Sequence, residues 1–117
     1  MIIAIDFDGT IIEHGYYPNR GPLLPYAASV LKWLKIKGHK LILWTCRDGA
    51  ALAIAVDQCL ENGIDFDAIN DNIASLPHLS KKVCASMYIG DDAWPQNPID
   101  WKEIGKSFGM TEEDFKE

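Results

Sequence analysis

Long apolar runs are missing from this chain, and so is any surplus of basic residues. No stretch approaches the roughly 20 apolar residues that a membrane-spanning helix needs, and the run that begins at Met1 has no basic leader before it, so a cytoplasmic location is expected. Lys and Arg number 11 against 17 Asp and Glu, a formal net charge of −6 with a pI near 4.9. That balance excludes general binding to nucleic acid or to anionic membranes, and any anionic substrate must be captured locally. Cysteine is scarce: Cys46, Cys59 and Cys84 lie in apolar segments without paired or metal-like spacing, which excludes a disulfide framework and predicts reduced core residues. The histidines His14, His39 and His78 share no ligand spacing. There is no internal repeat, linker or low-complexity tract, and 117 residues provide one domain with a real core.

What the chain does have is concentrated where apolar runs end. Ile2, Ile3, Ala4 and Ile5 read as a buried strand that delivers Asp6 and Asp8, one residue apart, onto a turn at Gly9 and Thr10. Side chains alternate along a strand, so the two carboxylates point the same way where extended structure stops. Such a pair is costly unless a cation or a reaction needs it.

The rest of the chain alternates. Residues 11–22 mix Ile11, Ile12, Tyr16 and Tyr17 with Gly15, Asn19 and Gly21, which predicts an ordered flap over the end of the first strand. Ala27, Val30, Leu31 and Leu34 follow helical spacing, and Gly38 supplies a left-handed stop. Residues 40–45 form a second apolar strand that ends at Thr45, followed by Cys46 and Arg47. Leu52, Ala55, Val56, Cys59 and Leu60 trace a second helix, with Asp48 as N-cap and Gly63 as stop. Weaker alternation at Ile64, Phe66 and Ala68 predicts a short third strand; residues 85–89 give a fourth, closed by Gly90, Asp91 and Asp92. A last helix is expected within 99–108, and a frayed tail over 109–117.

This order predicts an α/β fold, a Rossmann-like, mostly parallel sheet with helices on both faces, whose ligands bind beyond the carboxyl ends of the strands. Asp6, Asp8, Thr45, Asp91 and Asp92 all fall at such ends. Several carboxylates around one point call for a hard cation, and oxygen ligands are what magnesium takes. A carboxylate can then attack a phosphoryl group while its neighbour moves protons. Gly9 and Thr10, with Thr45 and the following Cys46 and Arg47, are the candidate phosphate contacts, and Lys81 or Lys82 supplies a cation. Taken singly, an Asp-Gly step is a common turn, Thr45 a strand-end cap, and Arg47 better suited to a rim or structural ion pair than to catalysis.

Asp6-Phe7-Asp8-Gly9-Thr10, Leu41-Ile42-Leu43-Trp44-Thr45, Lys82 and Tyr88-Ile89-Gly90-Asp91-Asp92, in that order, resemble the motifs of the haloacid dehalogenase-like hydrolase superfamily. The resemblance implies that Asp6 is the nucleophile, Asp8 the general acid and base, Thr45 a phosphoryl ligand, and Lys82 the cation that steadies the nucleophile. It implies magnesium held by Asp6, the Asp8 carbonyl and Asp91. Because Asp8 is present, it favours phosphomonoester hydrolysis over carbon–halogen cleavage. Many members carry a further acid where this chain has Pro95, which leaves Asp92 to assist the metal. No insertion is long enough for a cap, so the chain resembles a capless single-domain member, open to a bulky phosphorylated small molecule or to a second copy of the chain that closes the site. Two other functions compete. A receiver-like phospho-acceptor domain shares the residue types but not their order, and a catalytically weak binding protein would keep the metal site without turnover.

Overall fold

The fold, a computed structural model, is described over residues 1–71, 85–90 and 99–116. Its elements are β1 (Ile2–Ile5), α1 (Ala27–Ile36), β2 (Lys40–Leu43), α2 (Gly49–Glu61), β3 (Ala68–Ile69), β4 (Met87–Ile89) and α3 (Trp101–Phe108), followed by a 3-10 turn at Glu112–Phe115. The four strands form one sheet in the order β3-β2-β1-β4, and every pairing is parallel. This is the parallel α/β architecture that the alternation predicts. Among the described residues no helix is long and apolar enough to cross a membrane.

Register explains the two faces. Ile3, Ile5, Leu41, Leu43 and Ile89 point to one face and join Val30, Leu31 and Leu34 of α1, Ala55 and Cys59 of α2 and Trp101 of α3 in a single core. The described helices therefore all lie on this face. Ala4 and Ile42 point the other way and are also fully buried, whereas residues 72–84, which connect β3 to β4, lie outside the described residues. The chain lays β2 and β3 on one side of β1 and then crosses to place β4 on the other. In such sheets the crevice opens where the order reverses, at the carboxyl end of β1.

Gly38 and Gly63, at φ +92° and +76°, follow α1 and α2 in the left-handed conformation that the sequence suggests. The third strand is shorter than its alternation predicts, and at its start a side chain joins the backbone bond from the Asp67 amide to the Leu41 carbonyl, 2.8 Å. The Asp67 carboxylate accepts from the Leu41 amide at 2.8 Å and from Lys35 Nζ at 2.9 Å, tying β3 to the start of β2 and to α1. Burial pushes that carboxyl up, but the amide and the Lys35 ammonium outweigh it and hold the group below its usual range.

Over residues 109–116 the tail packs rather than frays. Gly109 ends α3 at φ +107°, Met110 and Phe115 turn back into the core, and Thr111 and Asp114 cap the 3-10 turn reciprocally. Gly105 makes room for this packing, since a Cβ there would stand 2.6 Å from the Met110 sulfur and 2.9 Å from Phe115. Phe115 also meets Tyr26 edge-on, with ring centroids 5.4 Å apart.

Candidate functional site

Extended hydrogen bonding runs one residue beyond β1 and β2: the Asp6 amide donates to the Ile89 carbonyl at 2.9 Å, and the Trp44 amide to the Ile5 carbonyl at 2.8 Å. The chain then turns. The Phe7 carbonyl accepts from the amides of Thr10 and Ile11, at 3.1 and 2.9 Å, and Gly9 adopts φ +74°, a conformation that costs a side-chain-bearing residue roughly 1–2 kcal/mol. The same turn aims the Phe7 amide at Asp6 Oδ1, 2.7 Å away, which fixes the carboxylate at the strand end. Asp6 lines a recess of about 410 Å3 with Trp44, Thr45, Cys46, Asn70 and Tyr88, so all four strand ends contribute to its wall.

Asn70 organises the opposite wall. It follows β3 in the left-handed conformation, at φ +49°, which Asn tolerates better than most residues. Its Oδ1 accepts from the Thr45 amide at 2.7 Å and its Nδ2 donates to the Arg47 carbonyl at 3.3 Å, clamping the loop after β2. Within that loop the Arg47 amide donates to Thr45 Oγ1 at 3.2 Å. The expected phosphate cradle is thus modified. The amides of Thr45 and Arg47 are used inside the loop, and α2 begins only at Gly49, with Asp48 in the N-cap position but forming no side-chain cap. Thr45 itself still lines the recess.

The second acid has a different partner from the first. Asp8 accepts from Arg47 Nε and Nη2, both at 2.8 Å, in a two-point fork. The Arg47 side chain is 1% exposed, and its remaining donors reach the carbonyls of Pro18 and Ala51 through Nη1 and of Asn19 through Nη2. All five N–H groups of an arginine are therefore engaged. Its plane also lies against Phe7, 4.7 Å from the ring centroid, and Tyr17, 5.3 Å away. Arg47 is a strut between Asp8, the flap and the start of α2, and as a substrate contact it is corrected: it has no donor left to offer.

The flap is anchored at both ends. Ile12 bridges Leu23, the Glu13 amide donates to the Pro22 carbonyl, and Gln58 Nε2 reaches the Gly21 carbonyl at 2.6 Å. Tyr16 folds over Gly21 so closely that a Cβ there would stand 2.6 Å from its ring.

No protein-family model matches the chain, and no curated protein does. A solved structure, that of a conserved protein coded by a locus of Bacteroides thetaiotaomicron, matches with a TM-score of 0.83 and 37% sequence identity, covering 100% of this chain and 98% of that one. The chain belongs to that protein's family. Family membership therefore extends over the flap, the strand ends and the tail alike.

Placed on this family fold, the predicted site divides in three. Asp6, Thr45 and Cys46 meet at the recess. Cys46 is exposed there rather than in the core, because the strand stops three residues earlier, at Leu43; Cys59 is buried, its thiol pushed up to about 12 by desolvation. Gly9 and Thr10, expected to touch substrate, are instead buried beneath the turn, and the Thr10 carbonyl accepts from Trp101 Nε1 at 2.6 Å. They hold the turn and do not line the recess. Lys81, Lys82, Asp91 and Asp92, with Cys84, His78 and Trp94, lie outside the described residues. Among the described residues no three His, Cys, Asp or Glu side chains form a metal-ligand group. Asn70 is the organising residue that sequence reasoning missed; the signal was an Asn closing a strand that neighbours β2.

Proposed function

We propose that the protein is a magnesium-dependent phosphomonoester hydrolase of the haloacid dehalogenase-like type, working through an aspartyl phosphate at Asp6. The observation that carries this is the Asp6 carboxylate, fixed by the Phe7 amide at the carboxyl end of a central parallel strand and facing a recess that also holds Thr45. A carboxylate so placed attacks phosphorus, and the bond to the leaving oxygen breaks. Asp8 gives that oxygen its proton, then takes one from the water that cleaves the acyl phosphate, which releases inorganic phosphate and restores Asp6. A carboxylate has about four lone-pair sites; the Arg47 fork uses two and leaves others for the proton. The Thr45 hydroxyl orients the phosphoryl oxygens.

The donor chemistry fits magnesium. The Asp6 carboxylate and the Asp8 carbonyl are hard oxygens at one strand end, and the motif resemblance adds Asp91, with Asp92 beside it and Lys82 as the balancing cation. Bound there, the ion would offset the charge between two anions that must meet. A second function, a binding protein with little turnover, is favoured by one observation: both Asp8 oxygens are engaged by Arg47.

A panel of sugar phosphates, nucleoside monophosphates, aryl phosphates and phospholipid head groups distinguishes the two. Phosphate release is expected for at least one class, lost on chelation and restored by excess magnesium. Measurable magnesium binding with no turnover across the panel would establish the binding protein instead.

A further inference from the structure

The recess has two aromatic walls, and they stand on either side of Asp6. Ala4 pairs with both Ile42 and Tyr88, so alternation places Asp6, Trp44 and Tyr88 on the same face of the sheet. Trp44 stands beside Asp6 on β2, one residue past the last paired positions. On the other side Gly90, one residue past β4, takes the matching position, and the Tyr88 ring leans over it: a Cβ at Gly90 would lie 2.5 Å from Tyr88 Cε1. The volume of about 410 Å3 exceeds what a phosphoryl group alone fills and lies within the range of small-molecule sites.

Charge narrows the occupant. Among the described residues that line the recess there is no Lys or Arg, and the nearby Arg47 is fully engaged. Among the described residues a second phosphate or a carboxylate on the leaving group would find no cationic partner there. We propose that Trp44 and Tyr88 form a leaving-group subsite for a singly phosphorylated substrate whose leaving group carries an otherwise uncharged planar ring. This rests on the phosphomonoesterase reading of the same site. A nucleobase and an aryl ring present the same stacking face to these walls.

Titration with phenylphosphonate and methylphosphonate in the presence of magnesium tests the subsite without turnover. The phenyl compound is expected to bind on the order of tenfold more tightly or better, and the difference should collapse in Trp44→Ala and persist in part in Trp44→Phe. In steady-state assays the ratio of kcat/KM for phenyl phosphate over glycerol phosphate should fall in the same order, with Tyr88→Leu as the variant of the opposite wall. Adenosine 5′-monophosphate beside phenyl phosphate separates the nucleoside from the aryl source. Equal affinity for the two phosphonates, or a ratio unmoved in Trp44→Ala, overturns the subsite and leaves the phosphatase reading standing. Ring-selective binding with no hydrolysis of any ester keeps the subsite and overturns the phosphatase.

Discussion

Replacing Asp6 by Asn is expected to lower phosphomonoester turnover on the order of 10^4-fold or more, while the urea midpoint stays close to that of the unaltered protein. The amide is nearly isosteric with the carboxylate, and its oxygen can still accept from the Phe7 amide, so the strand end and its bond to Ile89 persist. What is lost is the anionic oxygen that attacks phosphorus. Asp8→Asn removes the proton traffic and also the anion of the Arg47 fork, so its urea midpoint should fall as well; the smaller loss of turnover expected there, about 10^2- to 10^4-fold, sets the order of the two variants. Initial rates with the best ester of the panel, beside urea titrations of each variant, check both. Turnover retained by Asp6→Asn would remove Asp6 from the chemistry.

The largest stability effect is expected at Arg47. Exchange for Met leaves the Asp8 carboxylate without its counter-ion and the Pro18, Asn19 and Ala51 carbonyls without their donor. Removing one partner of a buried pair typically costs about 3–5 kcal/mol. Lys keeps the charge but not the planar fork, so Arg47→Lys should lose about 1–3 kcal/mol and still fold. Because much of the Met penalty is the stranded carboxylate, the double variant Asp8→Asn with Arg47→Met should be less destabilised than Arg47→Met with Asp8 intact. Urea unfolding followed by circular dichroism measures all of these. A loss below about 1 kcal/mol in Arg47→Met would mean that the fork contributes little to the folded state.

The strands and helices that carry local signals were legible in the sequence. β1 and β2 are continuous apolar runs, α1 and α2 have apolar stripes, and Gly38 and Gly63 mark the helix ends as the structure does. The place of Asp6 was legible for the same reason: the residue after a buried run in a parallel sheet lies at the edge of that sheet. Features built from distant residues were not. Arg47 gathers Asp8, Pro18, Asn19 and Ala51 from three segments, and no local pattern records that they meet. Asn70 reaches the loop after β2 through its side chain, across strands 25 residues apart in sequence. Cys46 was placed in the core by its apolar neighbours, yet it lies past the last paired residue of β2. The tail looked polar and frayed, but Met110 and Phe115 find their room at Gly105, an absence of side chain that hydropathy does not register.

The central claim is that Asp6 carries the phosphoryl group, and the direct measurement is to quench the enzyme with acid during turnover, digest it and locate the covalent phosphate by mass spectrometry. A phosphorylated peptide with the modification on Asp6, absent from Asp6→Asn, is the predicted result. Turnover with no covalent phosphate trapped, or with phosphate on a residue other than Asp6, would contradict it.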